Sequence, residues 1–191
     1  AACYAFGVPL KKIAAVTKKL KWTSFSRLSL SKMGLMINSI IGETIIDLVG
    51  RGPNVLIEDS PIPLAITATD VSSGQRVVFT KGNLAQAVMA SSCIPGLFVP
   101  VEIDGHKLVD GAFVEDVPIF SLAELGADIE IGVNLRHFHP YLEPQNVLDI
   151  LSNVISILTK KQYALIEKSG LNTLLIKPHL EHYGSSDFEK T

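Results

Sequence analysis

Apolar positions recur at helical spacing over residues 9–20, where Ile13, Val16 and Leu20 share one face behind an early proline. A second helix is predicted over residues 40–49, closed by Gly50. A third runs from the capping residue Asn83 to about Ser92, with Leu84, Ala87 and Val88 facing inward. Pro118 opens a fourth, which Gly126 ends. The longest covers residues 144–168, with Val147, Ile150, Leu151, Val154, Ile155 and Leu158 at helical spacing; this apolar face reads as core, with an acyl-chain wall or a membrane-contact helix as the alternative. Shorter apolar and β-branched runs predict strands at residues 64–69, 76–80, 129–135 and 172–176. Asp104-Gly105-His106 lies between two further runs, residues 99–103 and 107–109, and an Asp-Gly pair in that setting predicts a hairpin. The serine-rich residues 22–39 read as irregular, and residues 51–62 as partly loop. Strands alternating with helices place the chain in the α/β class with a largely parallel sheet.

A length of 191 residues suits one domain, and a hydrophobic share of 47% against 19% charged residues excludes general disorder. The mean hydropathy of +0.32 comes from apolar runs such as residues 35–46 and 147–158. Polar residues interrupt each run, and each is too short to span a bilayer. Cys3 and Cys93 have no metal-type spacing and read as free thiols in a reduced compartment, which with the absence of a signal peptide suggests the cytoplasm.

Charge is unevenly spread. Residues 1–42 carry seven basic side chains (Lys11, Lys12, Lys18, Lys19, Lys21, Arg27, Lys32) and no Asp or Glu, leaving ten of the 17 basic and all 19 acidic side chains to the remainder. Such a segment is either a solvated helix face or a surface for peripheral contact with anionic membrane. Between Lys11 and Lys32 the only aromatics are Trp22 and Phe25, and no nucleic-acid motif accompanies them, so no nucleic-acid partner is expected. Residues 1–7 read as the tail of a helix already under way, ended by Gly7, and residues 186–191 as a capped helix in its first turns. The expectation is a single domain over residues 1–191, truncated at both ends.

Asp110-Gly111 directly follows a predicted strand, where α/β folds gather their chemistry. Asp-Gly is also a routine turn, and Asp104-Gly105 is expected to be one. The wider string narrows the choice. Ala90-Ser91-Ser92-Cys93-Ile94-Pro95-Gly96-Leu97-Phe98-Val99-Pro100-Val101 leads into Leu108-Val109-Asp110-Gly111-Ala112. This resembles the signature of the patatin-like phospholipases: a helix end of small residues, Ile-Pro-Gly, an aromatic and a proline, then Asp-Gly-Ala. The resemblance is firm over residues 63–134 and looser elsewhere.

The resemblance implies a three-layer α/β fold with a mainly parallel central sheet flanked by helices. It also implies a hydrolase of phospholipid or lysophospholipid esters that works through a serine–aspartate dyad without histidine. Asp110 would be the base, with Gly111, Ala112, Pro95 and Gly96 as its motif neighbours. No Gly-x-Ser-x-Gly elbow and no glycine-rich oxyanion loop occur in these residues, so the serine would lie just upstream of Ala1. Two alternatives stay open: a non-catalytic module that binds lipid or protein, and an acyl transferase. Ser91, Ser92 and Cys93 are expected to be structural. Gly82 and Gly96 read as turn residues, and no nucleotide-binding glycine string is present. His137, His139, His179 and His182 read as solvated loop residues, so neither a metal nor a cofactor is expected.

Overall fold

The computed structural model describes residues 1–19, 27–29, 31–135, 143–145 and 147–179. They form two compact units, Ala1–Gly111 and the described residues from Ala112 onward.

The first unit opens on α1 (Ala2–Ala5), which turns out of its helix at Gly7, φ +79°. The Gly7 N–H donates to the Tyr4 carbonyl and the Val8 N–H to the Cys3 carbonyl, both at 2.9 Å. This double closure needs a left-handed residue, which glycine supplies without a Cβ penalty. Cys3 and Val8 then meet Leu48 in a buried cluster. α2 (Leu10–Thr17) adds Ile13 and Val16 to that cluster, with Pro9 just outside the helix as its cap. Lys11, Lys12, Lys18 and Lys19 stay exposed.

Then follow β1 (Arg27–Leu28), β2 (Gly34–Ile37), α3 (Ser39–Val49), β3 (Ile66–Asp70), β4 (Arg76–Phe79), α4 (Leu84–Ser91), β5 (Gly96–Phe98), β6 (Val101–Ile103) and β7 (His106–Asp110). β2 corrects the irregular reading of residues 22–39. It pairs in parallel with the distant β5, Gly34 opposite Gly96 and Met36 opposite Phe98. A Cβ on Gly34 would lie 2.5 Å from the backbone of Phe98 and Val99. A partner sixty residues away and a required glycine leave no local periodicity to read.

β4, β3, β7 and β6 form a four-stranded sheet in that order, and every neighbouring pair is antiparallel. The chain is therefore α/β as expected, but the largest sheet among the described residues is antiparallel, while β2–β5 and the later pair at residues 130–133 and 173–176 are parallel. Only the turn at residues 71–75 separates β3 from β4, and only Asp104-Gly105 separates β6 from β7. Connections so short can only return antiparallel, because a parallel return needs a crossover of a dozen residues or more.

α4 lies on β3 and β7, and α3 lies on α4. The Asn83 side chain caps α4 by accepting the Gln86 N–H at 3.0 Å, as the sequence predicts. Where the helices cross, a Cβ on Gly42 would meet the Met89 sulfur at 2.7 Å. The fully buried Asn38 ties the start of α3 to the Met89 carbonyl at 2.8 Å. Ala68, Ala90 and Leu108 fill the space between α4 and the sheet. Phe6, Val55, Ile57, Ile66, Leu84 and Ala87 form the neighbouring core. Burying side chains such as Ile57 and Leu84 contributes about 1.5–3 kcal/mol each.

The second unit contains α5 (Ile119–Glu124), β8 (Glu130–Val133), α6 (Val147–Lys168) and β9 (Thr173–Ile176). β8 and β9 pair in parallel. Their inner face meets the helices through Val117, Ile119, Tyr163 and Ile166. A Cβ on Gly132 would come within 2.8 Å of both Val117 and Leu175. The opposite face leaves Ile129, Ile131, Val133 and Leu174 exposed.

α6 also departs from expectation. Ile150, Val154 and Leu158, assigned to the core, are exposed, and the helix buries Thr159, Tyr163 and Ile166 instead. The helix is apolar around most of its circumference, so periodicity alone could not choose a face. Tyr163 and the hydrogen bonds of Gln162 choose it. The C-terminal helix read at residues 186–191 and the histidines at positions 137, 139 and 182 lie outside the described residues.

Candidate active site

Asp110 is the last residue of β7, half-buried at the strand end. The β6–β7 hairpin that delivers it turns through Asp104 at φ +51° and Gly105 at φ +81°, the left-handed pair a two-residue hairpin loop requires. Three backbone anchors hold Asp110. It lies opposite Ala68 in the ladder with β3, and its N–H donates to the Cys93 carbonyl at 3.0 Å. Its own carbonyl accepts the Thr69 hydroxyl at 2.8 Å.

Gly111 is buried and opens a 3-10 turn, Gly111–Phe113. Its φ is unexceptional; what requires glycine is space. An added Cβ would lie 2.6 Å from both the Thr67 carbonyl oxygen and the Thr67 hydroxyl. Glycine is required at this position for close approach to β3, not for a left-handed backbone.

Pro95 and Gly96 make the turn that links α4 to β5. Gly96 has φ +82°, and the Leu97 N–H donates back to the Ile94 carbonyl at 3.2 Å. Proline then glycine at the two central positions is the composition such a turn needs. The turn leaves Cys93 fully buried with its carbonyl on Asp110. Burial pushes the Cys93 thiol up to about 11, and the negative charge of Asp110 adds to the effect. The thiol donates to the Val99 carbonyl at 3.3 Å, and the Ser92 hydroxyl is tied to the Val88 carbonyl at 2.8 Å. Both side chains are thus engaged with backbone carbonyls.

Ala112 begins the second unit, and the segment after it is held by side chains that the sequence did not single out. Gln162 donates to the carbonyls of Ala112 and Phe113 at 3.3 and 3.2 Å and accepts the Asp116 N–H at 2.7 Å. The Tyr163 hydroxyl donates to the Asp116 carboxylate at 3.1 Å. The buried Glu115 accepts both the N–H and the hydroxyl of Ser121, at 3.0 and 2.5 Å. The available signal was a glutamine among the apolar residues of a long helix.

His106 is the only histidine in residues 1–111. It begins the strand that Asp110 ends, about 13 Å away at ~3.3 Å per residue. Its Nδ1 lies 3.0 Å from the buried Asp70 carboxylate, which also accepts the Ser72 N–H and the Ser73 hydroxyl, each at 2.9 Å. These partners, the His106 hydrogen bond first, hold the Asp70 carboxyl down at about 2. A folded value below the unfolded one of about 4 means the carboxylate stabilises the fold at higher pH. That contribution is complete above about pH 4 and disappears as pH falls towards 2. Denaturant midpoints measured from pH 5 to pH 2 should therefore fall less steeply for Asp70→Asn than for the parent protein.

Among the described residues no group of three His, Cys, Asp or Glu side chains could hold a metal ion, and no helix is long and apolar enough to cross a membrane.

Comparison with known proteins identifies the family. The patatin-like phospholipase family matches residues 1–123, so the match extends upstream of the firm resemblance at residues 63–134. An uncharacterized NTE family protein of Mycobacterium tuberculosis is 31% identical over 169 residues, covering 87% of this chain and 46% of the relative. A lysophospholipase of Kluyveromyces lactis is 21% identical over 158 residues, 70% of this chain and 11% of the relative. A patatin-like phospholipase domain-containing protein of Mus musculus is 31% identical over 81 residues, 41% of this chain and 6% of the relative. The chain thus spans under half the length of the relatives it matches. With a family match over nearly two thirds of its residues, the chain belongs to the patatin-like phospholipase family.

Proposed function

We propose that these residues form the aspartate-bearing part of a lipid acyl-ester hydrolase, in which Asp110 serves a serine supplied by chain upstream of Ala1. The observation that carries this reading is the anchoring of Asp110 at a strand end by Cys93, Thr69 and the close seat of Gly111. With His106 at the far end of the same strand and bound to Asp70, a two-residue dyad suits the first unit better than a histidine triad. In that dyad the serine hydroxyl attacks the ester carbonyl as its proton passes to the Asp110 carboxylate. Collapse of the tetrahedral intermediate expels the alcohol, which takes that proton. Water then cleaves the acyl-enzyme, with Asp110 again accepting a proton and returning it to the serine.

A phospholipid or lysophospholipid substrate is favoured by the family and by the relative named a lysophospholipase. No metal or other cofactor enters the scheme. The exposed lysines of α2 suit a peripheral contact with anionic membrane. Full-length protein treated with a fluorophosphonate, a reagent for activated serines, should gain one adduct by intact mass, on a serine upstream of these residues. An unlabelled full-length protein would remove the acyl-enzyme scheme and leave a lipid- or partner-binding module.

A further inference from the structure

We infer that the outer face of α6 is a second membrane-contact surface, one that lies on an anionic phospholipid bilayer. The inference builds on the lipid-hydrolase reading, because it concerns how such an enzyme would meet its substrate. Ile150, Val154, Ile157, Leu158 and Leu165 are each at least 41% exposed. At 3.6 residues per turn they fall within an arc of about 100°. Lys161 and Lys168 fall within the same arc, and both are exposed. The only carboxylate positions of the helix, Asp149 and Glu167, lie on its flank more than about 100° from the centre of the arc. Glu167 faces Lys177 at 3.9 Å. The exposed face of α6 is therefore apolar and cationic, with no acidic residue on it.

This composition selects the occupant. A protein surface covering the stripe would bury Lys161 near its centre and would have to bring a carboxylate to meet it, since Lys161 is in neither ion pair found among the described residues. An unpaired ammonium in a packed interface is costly. At a bilayer the same lysine extends to the lipid phosphates while its methylenes and the neighbouring aliphatic side chains sit at the acyl boundary. The exposed row of β8, Ile129, Ile131 and Val133, has no charge within it and lacks this pairing of cation and apolar surface.

The test uses the full-length protein carrying an environment-sensitive fluorophore on Ile157→Cys; the native thiols Cys3 and Cys93 are buried. With phosphatidylcholine vesicles containing phosphatidylserine, emission should shift to the blue and be quenched by brominated acyl chains. Val154→Asp with Ile157→Asp should weaken vesicle partitioning by about tenfold or more. Lys161→Glu with Lys168→Glu should abolish the preference for phosphatidylserine over phosphatidylcholine alone. Hydrolysis of a water-soluble short-chain ester should be unchanged in both variants.

A fluorophore shielded before vesicles are added would overturn the inference in favour of coverage by another part of the chain. A dimer that the Val154→Asp, Ile157→Asp variant dissociates would overturn it in favour of a second copy. Partitioning that neither variant alters would leave α6 out of the contact. Absence of soluble-ester hydrolysis in the parent protein would instead count against the hydrolase reading, and partitioning is measured independently of turnover.

Discussion

Asp110→Asn in the full-length protein should lower ester hydrolysis by about 10²–10⁴-fold, the range that loss of a positioned general base removes. The carboxamide keeps the shape of the side chain and all three backbone anchors, since these use only main-chain atoms of Asp110. What it loses is the ability to take a proton from the serine. The loss should fall on kcat, with KM little changed, because the carboxylate acts on the nucleophile and not on the acyl chain. An unfolding free energy within about 0.5 kcal/mol of the parent would separate lost chemistry from lost structure. A variant that folds normally and retains turnover would take Asp110 out of the mechanism.

Gly111→Ala should be among the most damaging single-methyl additions in the first unit. Its Cβ would be placed 2.6 Å from a backbone oxygen of β3, and a sheet strand cannot swing aside as a flexible side chain does. Overpacking of this kind costs about 1–3 kcal/mol. The strain falls one residue from Asp110, so activity should drop more than stability alone explains. Chemical denaturation paired with turnover measured well below the unfolding transition checks both parts. Gly42→Ala makes a useful contrast. There the closest atom is the sulfur of Met89, on a flexible side chain that can yield, so the cost should be smaller.

The sequence made local features legible and non-local ones obscure. Asn83 as a cap, Gly7 as a helix stop and Asp104-Gly105 as a hairpin turn depend on a few adjacent residues, and each stands where its chemistry places it. The string from Ala90 to Ala112 pointed to Asp110, but the supports from Thr67 and Thr69 come from a strand forty residues earlier and carry no mark of their own. The parallel pairing expected of the sheet is present in part, in β2 with β5 and β8 with β9, while the four-stranded sheet is antiparallel; an apolar run looks alike in a buried parallel strand and in a central antiparallel one. The brevity of the turn between β3 and β4 held that information, as the Asp104-Gly105 turn did for β6 and β7. The face of α6 was misread because branched aliphatic residues occur on both sides of the helix. Gln162 and Tyr163 orient it through partners at residues 112–116.

The fully buried Cys93 gives the aspartate site a native gauge of its own opening. With burial pushing it up to about 11, Cys93 stays in the unreactive thiol form at neutral pH. No alkylating reagent reaches a sulfur so fully buried until the structure around it parts. The carbonyl that grips Asp110 belongs to the same residue. A slow alkylation rate at Cys93 would thus count the moments when the aspartate loses its seat, and no label need be added to the chain to see them.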